Sequence, residues 1–531
     1  MFDISLYSSH SLYPPHSQFL RMTSTRRETN LATLVKNADL SGASPVLRPL
    51  YISATVDCLA YGVALSVGAY FVVNANEPSK HGGLGLTTIQ VGAGYAAHAL
   101  SQLIGSFVVN KLSDSTGRKP MLVFAFVWSG IGMVLISVLG FFRQSFVEAS
   151  ETGSSGLVEL HASSLSPSPA SFSGKTYTST MMLAILYGMQ QFVSGINGGT
   201  TGPSQTFIID VCSFAERGTY LARLGAIYGG SVAAGSLLAG FLSSMFPAAE
   251  ILMFCAIVCF ASAVYLYVYL GESLPLAKRR TPDLGINFAS EFRQMNLGVW
   301  FIWIAKMGIS FANSGLFLIY PFFVRDYLVP ANYPGSHYKP EEKVQAGNLY
   351  LSIYTCIGAV AQMVALLFVY PRLSEALGKH MTIVFTGFLV AVGLALLAIF
   401  GFDTTASFSL AHSFPHAIWK FLLHASLGMV DASLPDALPL YVPEKYLGFS
   451  QGVMIGSRSI GGIISSIAVA ILFDIHPKIG VSCLVVAAAG VTAFFGLLAK
   501  MFCKSQRQEI AAAKKAEEDK ATGGISESTR L

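Results

Sequence analysis

The feature that most constrains this chain is a series of twelve long apolar segments spread over most of its 531 residues. A helix needs about 20 mostly apolar residues to cross the hydrocarbon core of a bilayer. Several segments contain Gly or Pro, which membrane helices tolerate better than soluble ones. We therefore predict an all-α membrane protein with twelve transmembrane helices, at about 50–73, 87–110, 121–141, 179–204, 219–245, 249–271, 298–323, 346–370, 381–402, 415–441, 448–473 and 477–502.

The composition supports a lipid environment for most of the surface. Hydrophobic residues make up 53% of the chain, charged residues only 12%, and the mean hydropathy is +0.55. A soluble domain averages about 25% charged residues. The partner of this surface is therefore predicted to be a lipid bilayer.

The distribution of the basic residues predicts the orientation. With the N-terminus inside, most of the 34 Lys and Arg residues fall in cytoplasmic segments. This is the positive-inside bias, and it places both termini in the cytoplasm. The net charge of +5 thus reflects topology and gives no case for nucleic acid. The outer loops contain only Lys80, Arg143, Lys175, Arg325, Lys339, Lys343 and Lys478.

The apolar segments fall into two sets of six, which suggests two helical bundles joined by a basic linker. We expect a disordered N-terminal tail, for which a transit peptide is the alternative. The closing Ser-Thr-Arg-Leu resembles a PDZ ligand, although a match of four residues is common by chance. The predicted regions are an N-tail at 1–47, a first bundle at 48–271 with an outer loop at 143–178, a linker at 272–297, a second bundle at 298–502 and a C-tail at 503–531.

Cysteine and histidine spacing gives no sign of a metal site. Most of the seven cysteines lie inside apolar segments, and none has zinc-ligand spacing with histidine. There is also no nucleophile and base pair in a credible setting, and no Gly-rich phosphate loop between a strand and a helix. We expect no cofactor, no metal and no enzymatic activity.

A short polar stretch occurs twice in this apolar chain. Residues 112–119 read LSDSTGRK and residues 373–380 read LSEALGKH, with Leu, Ser, an acid, Gly and a cation in the same order, 261 positions apart. Each copy follows the second helix of its set. The chain is therefore predicted to be a doubled six-helix unit. Such proteins are typically secondary transporters, with the substrate near mid-membrane between two halves that rock.

The first copy, LSDSTGRKP, resembles the loop signature G-x-L-x-D-x-x-G-R-[RK] of the major facilitator superfamily, with Asn110 where a glycine is usual. The resemblance covers about residues 48 to 502. It implies a gating latch, in which the acid meets the positive end of a neighbouring helix and the arginine meets an acid on the facing bundle. The latch residues are Asp114, Gly117, Arg118 and Lys119, with Glu375, Gly378 and Lys379 in the second copy. We expect the stronger latch in the first copy.

Other segments indicate which branches of the family the chain resembles. TVDCLAYGVALSV resembles the family's acidic motif of helix 1, with Asp57 as the acid, and GESLP resembles the end of helix 6 in tetracycline exporters and proton-coupled folate transporters. Two departures weaken the case for a drug/proton antiporter. Gln191 stands where many relatives have an arginine that assists proton coupling. In helix 5, GSLLAG replaces G-P-x-x-G-G, and its small residues predict close helix packing.

Ionisable residues inside the membrane are functional candidates, because a charge there is costly. Asp57 and Asp431 are candidates for proton coupling. The alternative for Asp57 is a capping or interhelical hydrogen bond, and for Asp431 an ion pair with Arg458. Arg458 and Lys306 could bind an anionic solute, while Lys306 could instead snorkel to the interface.

Weaker candidates complete the predicted site. His424 lies on the same helical face as Asp431. His98 could shuttle protons or be a hydrogen-bonded core histidine. Asn197 and Asn313 could bind substrate or only pack helices. A mixed-charge cavity of this kind would suit a zwitterion or an organic anion.

These observations predict a transporter that moves a small organic solute by alternating access, coupled to protons and acting as a monomer. The alternative is a receptor or scaffold that has the fold but does not transport. The latch and the buried charges favour transport. The direction of transport stays open between efflux and uptake. The location stays open between the plasma membrane and an internal membrane.

Overall fold

The computed structural model is predominantly helical in the residues that it describes, with short irregular segments such as 83–87 and 270–274. Contacts divide the chain into a short unit, Met1–Pro49, and a large one, Leu50–Leu531. The described residues are 46–74, 83–154, 174–196, 200–212, 217–274, 295, 297–329, 340–400, 410–438, 441–442, 447–477, 480–484, 486–491, 494–495 and 498. The predicted tails, most of the linker and much of the outer loop therefore lie outside these residues.

Seven helices lie among the described residues of the first half of the molecule, which ends at residue 274. They are α1 (Arg48–Val73), α2 (Thr88–Thr116), α3 (Arg118–Ser154), α4 (Gly174–Gly195), α5 (Thr201–Val211), α6 (Arg217–Met245) and α7 (Ala248–Tyr269).

The second half, from residue 295 onward, repeats this arrangement. It contains α8 (Leu297–Phe323), α9 (Pro340–Val364), α10 (Tyr370–Leu377), α11 (Lys379–Phe400), α12 (Leu410–Ala437) and α13 (Leu447–Ile475). A shorter apolar helix, α14, covers Gly480–Val491. Five-residue π-helical turns extend α8 through Val324–Leu328 and α9 through Ala365–Val369. Eight spans of the described chain are long and apolar enough to cross a membrane.

Three boundaries differ most from the sequence prediction. The predicted third span, 121–141, is longer than expected, because α3 continues to Ser154 and so includes the first part of the predicted outer loop, 143–178. The predicted fourth span, 179–204, is broken into α4 and α5. The predicted loop after residue 110 is helical as far as Thr116, and in its last turn Ser115 and Thr116 donate hydrogen bonds to the Leu112 carbonyl at 3.0 and 2.7 Å. Gly117 then ends α2.

The two copies of the polar stretch have the same backbone conformation. Gly117 and Gly378 have φ values of 111° and 75°, a region that favours glycine. Each glycine N–H donates to the carbonyl of the serine four residues earlier, Ser113 or Ser374. The duplication seen in the sequence is thus also a duplication in structure. We call the end of the molecule that contains these two glycines the motif end, and the opposite end the far end.

The halves meet along two pairs of helices, α2 with α13 and α6 with α9. Glycines permit these close approaches. A Cβ at Gly92 would lie 2.5 Å from the Ser466 carbonyl oxygen, and one at Gly229 would lie 3.0 Å from that of Ala359. The predicted packing role of the small residues in the fifth span is confirmed.

Candidate functional site

The latch cations form ion pairs within their own halves. Arg118 Nε lies 2.8 Å from Asp210 Oδ2 at the end of α5, and Lys379 Nζ lies 2.8 Å from Asp436 Oδ1 near the end of α12. The resemblance implied an acid on the facing bundle for Arg118. The observed partner instead belongs to the same half, because α5 ends beside the start of α3.

Each latch has a second set of contacts. In the first half, Glu272 accepts hydrogen bonds from the backbone N–H groups of Arg118 and Lys119, at 2.8 and 3.4 Å. A carboxylate at this position is favourable, because it faces the positive end of α3. Glu272 was not predicted as a latch residue. Glu272 is the acid of the GESLP stretch at the end of helix 6, so the resemblance in that stretch could have indicated it.

In the second half, Tyr370 donates to Asp436 Oδ2 at 3.1 Å, and His380 hydrogen-bonds Tyr441. Glu375 is exposed. The side chain of Asp114 lies outside the described residues. The relative strength of the two latches stays a prediction.

A cluster of charges lies at mid-depth in the second half. Lys306 Nζ of α8 lies 2.6 Å from Asp431 Oδ1 of α12. Arg458 of α13 interacts electrostatically with both. We call Lys306, Asp431 and Arg458 the central charged cluster. At 1.5 Å per residue, they lie roughly 9 to 16 Å from the motif ends of their helices.

The cluster differs from the predicted pairing. Asp431 forms its ion pair with Lys306, whereas the alternative to proton coupling had paired it with Arg458. Lys306 does not snorkel, since its side chain is only 7% exposed and is held by Asp431. Asp431 remains 38% exposed and Arg458 is exposed, so two members of the cluster face open space.

Residues on the predicted face of α12 have different surroundings, and His424 lies apart from the ion pair of Asp431. Lys420 is buried, with its Nζ 3.7 Å above the Tyr320 ring. His424 Nδ1 hydrogen-bonds the Lys420 carbonyl at 3.2 Å and its ring lies against Gly358. Among the described residues, neither side chain forms an ion pair or hydrogen bond with Asp431, and the His424 ring packs between α12 and α9.

Asp57 lies in a separate polar pocket within the first half. It is 5% exposed, and its Oδ2 accepts a hydrogen bond from Thr200 at 3.3 Å, at the N-terminal end of α5. Ser129 and Cys259 also face its carboxylate. Asp57 Oδ1 has no hydrogen-bond partner and no cation forms an ion pair with Asp57 among the described residues.

The remaining candidates lie near the interface between the halves. His98 Nδ1 of α2 lies 3.0 Å from Ser194 Oγ and 3.2 Å from the Gln191 carbonyl, and His98 also senses the charge of Arg458. The Gln191 side chain faces Tyr187. Asn313 is half-buried on α8. Asn197 lies outside the described residues, in the break between α4 and α5.

Among the described residues, the two halves contact each other toward the far end of the interface. Arg325 at the end of α8 donates to the Val73 carbonyl at the end of α1 at 2.7 Å. Gly347 of α9 packs against the Tyr70 ring. Ser459 donates a hydrogen bond to Gln102 Oε1 at 3.4 Å. Ser459 follows Arg458 in α13 and lies slightly closer to the far end. None of these contacts was predicted from the sequence.

Known proteins support the same family as the motifs. The model of the Major Facilitator Superfamily matches residues 50–466. No curated protein sequence matches the chain.

Three solved structures share the fold. The human organic anion transporter MFSD10 (TETRAN) is 14% identical with a TM-score of 0.56, covering 86% of this chain and 98% of its own. The nucleoside transporter NupG is 12% identical with a TM-score of 0.54, covering 85% and 98%. A bacterial homologue of the iron transporter ferroportin, in an outward-facing state, is 13% identical with a TM-score of 0.56, covering 85% and 98%. Because the family model matches most of its length and its motifs occur at both duplicated turns, this chain belongs to the major facilitator superfamily.

Proposed function

We propose that the protein is a secondary active transporter that moves a small organic solute by alternating access and couples this movement to protons. The central charged cluster carries the proposal. The cluster places three ionisable side chains at mid-depth, and two of them face open space. Charges are costly at this depth in a membrane, so their presence favours a solute pathway over a role in stability. A receptor or scaffold would have little use for them.

The distribution of contacts between the halves supports alternating access. Two hydrogen bonds join the halves. The bond from Arg325 to Val73 lies at the far end, and the bond from Ser459 to Gln102 lies at about the level of the cluster. The ion pairs of the motif end, Arg118 with Asp210 and Lys379 with Asp436, are instead internal to each half. A solute would reach the cluster from the motif end in this conformation.

The environment of Asp57 supports a role in proton coupling. A buried charge without a partner is costly, and Asp57 has only hydroxyl and thiol neighbours among the described residues. A bound proton would remove this cost and give Oδ1 a hydrogen to donate. Asp431 already has Lys306 as a counter-ion, so we assign protons to Asp57 and solute binding to the cluster.

A transport assay in proteoliposomes tests the proposal. A library of solutes is screened for uptake under an imposed pH gradient, and the accepted solute is then measured in Asp57→Asn. We expect this variant to lose accumulation driven by the gradient and to keep solute exchange at equal pH, since Asn resembles the protonated acid. Asp474→Asn, at the exposed far end of α13, is the matched control.

Several outcomes would contradict parts of the proposal. Full gradient-driven accumulation in Asp57→Asn would remove the proton assignment. Absence of saturable flux for every solute, in a folded protein, would favour the receptor or scaffold. The direction of flux relative to the gradient would separate an efflux antiporter of the tetracycline-exporter type from an uptake symporter of the folate-transporter type.

The orientation and assembly are part of the same proposal. The positive-inside bias supports cytoplasmic termini, and hence a cytoplasmic motif end. We also propose that the monomer is the transporting unit, because both pseudo-symmetric halves are present in one chain.

A further inference from the structure

The guanidinium of Arg458 is the exposed member of the central charged cluster. Among the described residues, no carboxylate oxygen lies within 4.0 Å of its nitrogens, and none forms a hydrogen bond with its guanidinium. Lys306 differs, because its ammonium is buried against Asp431. Arg458 thus presents its donors to the space between the halves.

The charge balance of the cluster favours an anion. Lys306 and Asp431 neutralise one another at 2.6 Å, so Arg458 leaves an excess of one positive charge at mid-depth. A solute that brings one negative charge would neutralise the site. A cationic solute would have to overcome both Arg458 and Lys306, with only a shared Asp431 as its partner.

The first half faces Arg458 with aromatic side chains. Tyr61 of α1 is 48% exposed and lies close enough to sense the charge of Arg458. Tyr95 of α2 lies beside Tyr61, and Tyr187 of α4 lies beside Tyr95. A row of phenol rings therefore leads from the guanidinium into the first half. Such a surface suits an apolar or planar body better than a highly hydrated one.

We infer that the transported solute is an organic monoanion, with a carboxylate or a similar oxyanion bound by Arg458 and an apolar, planar body placed against Tyr61. This inference rests on the proposed transport function and names its substrate class. Arg is suited to the role, because its fork of donors matches two oxygens of one oxyanion. Lys306 and Asp431 are the charged neighbours of Arg458 on α8 and α12.

A series of probes with one ring system and three charges tests the inference. Binding of 2-naphthoate, 2-naphthamide and 2-naphthamidine to the full chain in detergent is measured by thermal shift and by equilibrium dialysis. We expect saturable binding of the anion at millimolar concentration or below, and weaker binding of the amide and the amidine. Added salt should weaken binding of the anion.

Variants locate the binding site. Arg458→Gln should weaken binding of 2-naphthoate roughly tenfold to a hundredfold, the range for a hydrogen bond to a charged group. Arg458→Lys should retain part of the binding and the preference for the anion. Tyr61→Leu should weaken all three probes by a similar factor. Arg223→Gln, a second exposed arginine of the membrane region, should leave the binding of all three unchanged.

The outcomes separate this inference from the proposed function. Preferential binding of the amidine, equal binding of anion and amide, no saturable binding of any probe, or unchanged binding in Arg458→Gln would each overturn the anion assignment. Saturable proteoliposome transport of a cationic or neutral solute would do the same and yet confirm that the protein is a transporter.

Discussion

Arg118 and Lys379 occupy the same place in the two copies of one structural unit. They lie 261 positions apart, each directly follows a glycine with positive φ, and each forms a 2.8 Å ion pair with an aspartate of its own half. The motif end is therefore held by two local locks. Motion of one half against the other can leave both locks intact.

The first latch is expected to contribute more to stability than the second. Arg118 and Asp210 have side chains 9% and 23% exposed, whereas Lys379 is 33% exposed. Arg118→Ala should lower the free energy of unfolding by about 1–3 kcal/mol. Lys379→Ala should cost about 1 kcal/mol or less, because solvent screens a more exposed pair. Thermal unfolding in one detergent measures both, with the exposed Arg372→Ala as the control. A larger loss for Lys379→Ala would reverse the assignment.

Lys306 and Asp431 are expected to be energetically coupled. Lys306→Met removes the partner of a partly buried carboxylate, and Asp431→Leu removes the partner of a buried ammonium. A double-mutant cycle of unfolding should give a coupling energy of about 1–2 kcal/mol, reduced by the 38% exposure of Asp431. Additive effects of the two changes would show that the pair contributes no mutual stabilisation.

The second buried lysine should behave in the opposite way. Lys420 lies over the Tyr320 ring and has no carboxylate partner among the described residues. Lys420→Met should therefore leave stability unchanged or raise it by about 1 kcal/mol, because a buried ammonium is removed and only a cation–π contact is lost. Comparing its melting temperature with that of Lys306→Met makes each variant the control for the other. A loss as large as that of Lys306→Met would indicate that Lys420 has an anionic partner.

The hydrogen bond from Arg325 to the Val73 carbonyl should help keep the far end closed. The reporter is Tyr70→Cys in a chain whose native cysteines have been replaced. Position 70 faces Gly347 when the two halves are in contact at the far end. Arg325→Gln should raise its rate of maleimide labelling about fivefold, the effect of about 1 kcal/mol on the opening equilibrium. Asp474→Asn serves as a control at the same end. An unchanged or slower rate would place the closure elsewhere.

Much of the architecture followed from local sequence. The apolar segments predicted the spans, since a helix must satisfy its own backbone hydrogen bonds in lipid. The repeated LS-acid-x-x-G-cation pattern predicted the duplication, and Gly117 and Gly378 indeed share a positive φ. The helical turn before Gly117 and the break between α4 and α5 were not predicted. The first helix end is marked by the Gly117 N–H bond to the Ser113 carbonyl, and the second lies beside the contact of Thr200 with Asp57. Hydropathy reports neither of these contacts.

The sequence by itself determined that charges lie inside the membrane and which residues carry them. Only the tertiary structure decided how they pair. Lys306, Asp431 and Arg458 come from three helices far apart along the chain, and helical periodicity gives no distances between helices. Packing placed Lys306 against Asp431, left Arg458 exposed and enclosed Asp57 in the first half without a counter-ion among the described residues. The physical reason is that a buried charge takes the nearest partner that the folded chain provides, and that proximity is a property of the packed helices.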